Sequence, residues 1–284
     1  MENTVHSFLM IGQSNMAGRG YLKDVKLIYD EQIKKLVNGR WQTMTEPINF
    51  DRPNSGIGLA ASFAGAWRLK NEGQQIGLIP CAEGGASLDD WAVGGALFEN
   101  AVFQTKLAQR IGVLDGILWH QGENDSFAGR SNVYYDKFTE IVKAFREELN
   151  AQNIPLMIGG LGDFLSSGRY GKYFTEFNSV NQTLLDFAEK NPNTYFVTAS
   201  GLTANADGLH FDALSQRKFG VRYFEAYHHR KTILVPLADE NDLINIIQDR
   251  PLSTGEKTAL LELKFAGGEL SLLEFEKQIS FLTY

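Results

Sequence analysis

The sequence predicts a three-layer α/β sandwich: a five-stranded parallel sheet with helices on both faces, followed by a small helical C-terminal extension. Three observations carry this expectation. Five short apolar runs of strand length recur along the chain, segments of helical period separate them, and most of the runs stop at glycine or small polar residues. Strands separated by helices join in parallel through right-handed crossovers, which places helices on both sides of the sheet.

The elements follow in order. Ser7 to Gly12 reads as the first strand and stops at glycine. After a long polar excursion, Gly58 to Asn71 has small and apolar residues at helical spacing, with Glu72-Gly73 as its stop. Gln75 to Ala82 is the second strand, Leu97 to Arg110 a helix, and Asp115 to His120 the third strand. Val133 to Asn150 is an amphipathic helix, Ile154 to Gly162 the fourth strand, Lys172 to Lys190 a helix, and Thr194 to Ser200 the fifth strand. Asp212 to His229 closes the series as a helix. A domain over residues 1–234 is therefore expected. Residues 235–284 form an extension of short amphipathic helices, at Asp239 to Gln248, Ser253 to Phe265 and Leu270 to Leu282, with a capping box at Ser253–Glu256. The extension lacks strands and catalytic residue types, so it is expected to serve packing or homo-oligomerisation.

Composition narrows the function classes. The 284 residues are 43% apolar and 12% aromatic, enough to bury a sizeable core and to exclude disorder for the chain as a whole. A net charge of −7 gives no electrostatic reason for a nucleic-acid partner. The single cysteine, Cys81, excludes an intrachain disulfide and a cysteine-based zinc site. No apolar stretch approaches the roughly 20 residues that span a bilayer, so no membrane partner is expected. The start, Met1 to His6, has no cationic segment followed by an apolar run, and the chain is expected to be cytoplasmic.

In an open parallel sheet, ligands bind beyond the carboxyl ends of the strands. The residues expected there are Gly12-Gln13-Ser14-Asn15-Met16, Glu83-Gly84-Gly85-Ala86-Ser87, Trp119 to Asp125, and Asp207-Gly208-Leu209-His210. Ser14 could open a helix and hold its hydroxyl above the sheet edge, near free N–H groups and a positive dipole end; serines also simply cap helices there. A serine hydroxyl needs a base, and histidine, with an ordinary pKa of about 6.5, suits that task. Asp207, three residues before His210, is placed to accept from the imidazole and fix its tautomer, as the acid of a Ser-His-Asp triad does. The same aspartate could instead cap the next helix. Ser14 N–H, Gly85 N–H and the Gln121 amide are candidate donors to a tetrahedral oxyanion. No cofactor is required and no metal is expected, because convincing third and fourth ligands are missing.

These blocks resemble the sialate O-acetylesterase-like branch of the SGNH hydrolases, which includes the carbohydrate esterases grouped as acetyl xylan esterase family six. The likeness rests on Gly12-Gln13-Ser14-Asn15-Met16, on Gly84-Gly85 with Ser87 and Trp91, on His120-Gln121-Gly122-Glu123 with Asp125, and on Asp207-Gly208 with His210. It spans residues 5–229, in order. It implies a flavodoxin-like SGNH fold and a serine esterase that removes short acyl groups, above all acetyl, from carbohydrates. Ser14 then resembles the nucleophile, His210 the base, and Ser14, Gly85 and Gln121 the oxyanion hole. Asp207 is the usual third member, and the position of Glu123 is the alternative acid. Asn15 and Trp91 are the expected substrate contacts, and an acetylated carbohydrate or other small ester is the expected partner. A broader short-chain lipase or thioesterase on the same fold, and an inactive carbohydrate-binding protein, are the rival readings. The excursion between Gly18 and Gly58 matches nothing in the resemblance.

Overall fold

The computed structural model describes residues 4–283. Met1 to Asn3, half of the Met1-to-His6 start on which the cytoplasmic expectation rests, and Tyr284 lie outside the described residues. The chain begins with β1 (Val5–Gly12), a single helical turn α1 (Ser14–Ala17), β2 (Ile33–Val37), β3 (Arg40–Thr43), α2 (Ala60–Lys70) and β4 (Gln75–Pro80). It continues through α3 (Ala96–Ala108), β5 (Gly112–His120), α4 (Tyr134–Glu148), β6 (Leu156–Gly159), α5 (Phe177–Lys190) and β7 (Thr194–Val197). It ends with α6 (Ala213–His229), α7 (Glu240–Gln248), α8 (Thr254–Ala266) and α9 (Leu272–Thr283).

The sheet has seven strands in the order β3-β2-β4-β1-β5-β6-β7, so the expected count of five is corrected. The five expected strands are present and parallel. The two additional strands lie in the unmatched excursion, where β2 joins β4 in parallel and β3 folds back antiparallel as the edge. Two lysines disguise β2. Lys35 is only 5% exposed, with its ammonium donating to the Thr45 carbonyl and hydroxyl, both at 3.2 Å, and sitting 4.7 Å from the centre of the Phe50 ring. Burial lowers its pKa. Asn38 and Gly39 make the hairpin turn with φ of 50° and 72°, the backbone of a two-residue type I′ loop.

Period-two alternation in β1 builds both cores. Phe8 and Met10 point to the layer of α2 and α6 with Leu78, Leu118 and Met157, while Leu9 and Ile11 point to the layer of α3, α4 and α5 with Ile79, Ile117 and Ile158. Small residues let α2 and α6 meet closely: a Cβ on Gly220 would lie 2.0 Å from the Leu59 carbonyl oxygen. On the same side, the guanidinium of Arg217 in α6 makes two 2.6 Å bonds to the buried carboxylate of Glu46.

The C-terminal helices divide in their packing. Ile244 and Ile247 of α7 are buried in the α2–α6 core. Helix α8 carries the expected capping box, and Glu256 also accepts from the Glu31 N–H at 3.0 Å and from Arg250 at 2.5 Å. Helices α8 and α9 pack on each other through stacked Phe265 and Phe275, leaving Leu273 and Phe281 exposed. Among the described residues no helix is long and apolar enough to cross a membrane. At the far side of the sheet, Ile233 pairs with Val197, so its backbone covers the outer flank of β7.

Candidate active site

Strand β1 lies at the centre, with β4 on one side and β5 on the other, so the crevice over its carboxyl end is the place where an α/β sheet binds ligands. Gly12 ends the strand with φ of 134°, and a Cβ there would stand 2.0 Å from the His120 carbonyl oxygen. Only glycine allows the chain to turn out of the sheet this close to β5. Ser14 follows at the start of α1. That element is a single turn, so the helix dipole expected behind Ser14 is small.

The loop after β7 brings two groups to Ser14. His210 Nε2 lies 3.0 Å from Ser14 Oγ, and His210 Nδ1 lies 2.7 Å from Asp207 Oδ2. The carboxylate only accepts, so Nδ1 carries the proton and Nε2 presents its lone pair to the serine hydroxyl. Asp207 Oδ1 accepts the N–H groups of Leu209 at 2.9 Å and of His210 at 3.0 Å, which fixes the aspartate before the imidazole is placed. Burial works to raise the Asp207 pKa, but the hydrogen bonds from His210 and Leu209 and the histidine charge outweigh it and lower it from 3.8 to about 2.

This shift has a defined sign. A carboxyl depressed in the folded state stabilises the fold above its ordinary pKa and loses that contribution as the pH falls through its folded value. The stability difference between the native chain and Asp207→Asn is therefore expected to narrow as the pH falls from about 4 to about 2. Urea denaturation at several pH values measures it.

Of the three groups expected as oxyanion donors, two face the crevice and one does not. Among the described residues, the Ser14 and Gly85 N–H groups have no partner. Gly85 has φ of 82°, and a Cβ there would meet open space. The glycine is thus required by backbone conformation, and not by close approach of a neighbour. Its carbonyl accepts from Asn124 Nδ2 at 2.7 Å, which holds the peptide that follows, while the Gly84 carbonyl of the preceding one accepts from Arg52 Nη2 at 3.0 Å. Gln121 does not face the site. It is fully buried, donating from Nε2 to Asp125 at 2.5 Å and to the Ala86 carbonyl at 3.2 Å, while Oε1 accepts from the Tyr134 hydroxyl at 2.9 Å. Asp125 in turn accepts the Leu88 N–H at 2.9 Å, so Gln121 and Asp125 brace the loop that carries Gly85.

Gln13 does line the crevice, together with Asn54 and Asn124. Its Oε1 accepts the N–H groups of Gly122 at 3.2 Å and Asn124 at 3.3 Å, which fixes the amide orientation and leaves Nε2 without a partner among the described residues. Gln13 stands in the same Gly12-to-Met16 block as Ser14, and nothing local in the sequence says which of its side chains faces the crevice. Removing one oxyanion donor costs about 10²–10³ in turnover, and that loss is expected in steady-state kinetics of Gln13→Ala with circular dichroism unchanged.

Three other expected site residues are corrected. Asn15, 1% exposed, donates to Glu123 Oε1 at 2.5 Å and accepts the Phe211 N–H at 3.0 Å. It cannot reach substrate; it ties the serine turn to the loop carrying His210. Glu123, also 1% exposed, borders the crevice, but the described contacts bring it to Asn15, not to His210. Its nearest imidazole is His120 at 3.8 Å, a ring whose pKa is lowered by burial. Trp91 is core, not a pocket wall: it packs edge-on to Trp119 and donates Nε1 to the Gly12 carbonyl at 3.2 Å. A flat apolar indole finds more area inside than at the rim.

A cavity of about 380 Å³ opens at Ser14 and His210, walled by Arg52, Gly85, Phe127 and Phe174 among others. Asp51, from the excursion, holds its floor. It pairs with Arg19 at 2.5 Å and accepts the Gly84 N–H at 2.9 Å. Burial raises the Asp51 pKa, but hydrogen bonds from Arg19, Ser55 and Asn49 and the Arg19 charge lower it overall, keeping it ionised. Nothing in the sequence singled out Arg19 or Asp51, because their role depends on the two new strands returning the chain to this edge. Among the described residues no group of three or more His, Cys, Asp or Glu side chains is placed to hold a metal ion.

Comparison with known proteins identifies the family. Residues 4–229 match the family described as carbohydrate esterase, sialic acid-specific acetylesterase. The chain is 30% identical over 242 residues to a probable carbohydrate esterase of Arabidopsis thaliana, covering 78% of this chain and 89% of the relative. A crystal structure of an Arabidopsis thaliana protein superposes with a TM-score of 0.71 at 26% identity, over 80% of this chain and 98% of that one. A carbohydrate acetylesterase from Xanthomonas citri shares the fold, with a TM-score of 0.59 at 17% identity over 79% of this chain and 56% of that one. The chain belongs to the carbohydrate esterase family of sialic acid-specific acetylesterases, and is a carboxylic ester hydrolase on an SGNH-type fold.

Proposed function

We propose that the protein removes O-acetyl groups from carbohydrates through Ser14, His210 and Asp207. One observation carries the reading: a serine hydroxyl, an imidazole and a carboxylate in sequence, at 3.0 Å and 2.7 Å, on the wall of an open cavity. Ser14 Oγ attacks the acetyl carbonyl while His210 Nε2 takes its proton, and the carbonyl electrons move onto the oxygen. Ser14 N–H, Gly85 N–H and Gln13 Nε2 receive that oxyanion. When the tetrahedral intermediate collapses, the bond to the sugar oxygen breaks and His210 returns its proton to the leaving alkoxide. A water then gives a proton to His210 and adds to the acetyl-serine; collapse of the second intermediate frees acetate and restores the Ser14 hydroxyl. Asp207 keeps the imidazole in the tautomer this requires and stabilises the imidazolium. These steps need no group beyond the chain's own residues and water.

The test is twofold. A serine-directed phosphonate should label Ser14 alone, read by peptide mass, and an acetylated glycan should release acetate while aryl esters of longer acyl chains react more slowly. Failure to label Ser14 would overturn the assignment in favour of a binding protein that has kept the fold. Equal rates along the acyl series would favour the broader lipase or thioesterase.

A further inference from the structure

A second cavity, of about 310 Å³, opens beside the first, lined by Asn38, Asn49, Phe50, Glu83, Asn100 and Gln104 among others. The two share a wall. Arg52 lines the first, and its Nη2 bonds to the Gly84 carbonyl at 3.0 Å and to Glu83 of the second at 3.1 Å.

Three features of this second cavity point to a ligand. Asn49 is 4% exposed and donates to the Ala82 carbonyl at 2.9 Å and to Asp51 at 3.1 Å. Both bonds leave from Nδ2, which fixes the amide and leaves Oδ1 buried without a partner. A buried acceptor left unpaired costs free energy that a ligand hydroxyl recovers. Next, Phe50 is 71% exposed, and with the Lys35 ammonium seated over its ring it is held as a fixed apolar plate. Finally, the amides of Asn38, Asn100 and Gln104 have no hydrogen-bond partner among the described residues. An aromatic plate with a few convergent amides is suited to a molecule with apolar C–H faces and many hydroxyls. Its charged lining residues, Asp51 and Glu83, are already paired with Arg19 and Arg52, and no lysine or arginine is among the described residues that line the cavity, so it offers a carboxylate no free cation.

We propose that this cavity is a subsite for an uncharged sugar residue of the same glycan whose ester enters the first cavity, so that the natural substrate is an oligosaccharide. The proposal rests on the esterase reading above and deepens it.

Binding of unacetylated, uncharged tetrasaccharides tests it without turnover. Saturation-transfer NMR and calorimetry with xylotetraose, cellotetraose, mannotetraose and tetra-N-acetylchitotetraose should find a binder with Kd below about 1 mM. The double variant Phe50→Ala, Gln104→Ala should weaken that binder about tenfold or more, while aryl acetate turnover stays within about twofold of the native chain and so reports an intact fold. The subsite is overturned if no tetrasaccharide binds at about 10 mM, if the double variant binds as well as the native chain, or if trigalacturonate binds more tightly than every neutral sugar. Failure of the esterase reading is separately visible as aryl acetate turnover that survives Ser14→Ala.

Discussion

Ser14→Ala is expected to lower turnover of an aryl acetate by about 10⁴-fold or more, with the circular dichroism spectrum and urea midpoint unchanged. In the proposed mechanism the Ser14 hydroxyl oxygen bonds to the acyl carbon, and its only side-chain partner among the described residues is His210 Nε2 at 3.0 Å. Without it the imidazole has no nucleophile to activate, but the Gly85 N–H and Gln13 amide still polarise a bound carbonyl. A residual rate above that of water is therefore expected, and KM should change little. His210→Ala should cost a similar factor, and the double variant no more than the larger single loss, because groups acting as one unit are not additive. Single-turnover and steady-state rates of the three variants check this. A wild-type rate in Ser14→Ala would sink the mechanism.

The largest stability effect is expected at a distance from the chemistry. Arg217 and Glu46 are both essentially inaccessible, and Glu46 also accepts the Ile28 N–H at 3.0 Å. Arg217→Met removes the guanidinium and leaves a carboxylate buried with one neutral donor. Breaking a buried pair from one side costs about 3–5 kcal/mol. The urea midpoint should fall by the corresponding amount at unchanged slope. Adding Glu46→Leu should recover most of the loss, since two apolar side chains of similar volume replace a buried ion pair at little cost. If the single variant is as stable as the native chain, Glu46 is solvated and not buried.

Much of this architecture was legible from hydrophobic periodicity. The five expected strands and the flanking helices lie where the apolar runs put them, with ends displaced by a few residues. The Ile154 to Gly162 run, for example, forms a strand over only Leu156–Gly159. The β2–β3 hairpin was hidden because Lys34 and Lys35 break its apolar pattern, and no local rule says that Lys35 will be buried over Phe50. Its one local signal was Asn38-Gly39, whose positive φ values suit a two-residue hairpin.

The same division runs through the site. Ser14, Asp207 and His210 were readable because each follows a strand, and strand ends meet at one edge. Which side chain of a turn points into the crevice was not readable. Gln13 and Gln121 are chemically identical, and only packing against Tyr134 and Asp125 commits the second to the interior. Asn15 and Trp91 likewise belong to the conspicuous blocks, yet they build the frame and do not touch the ligand space.

The sheet also finishes itself at both borders. On one side β3 is four residues long and carries exposed Arg40 and Gln42; on the other, the segment at Ile233 already occupies the outer bonds of β7. A short, charged border and a covered one offer a foreign strand little to dock on. The protein is thereby protected against ribbon-like self-association, and its parallel interior can remain almost wholly apolar without becoming a template for aggregation.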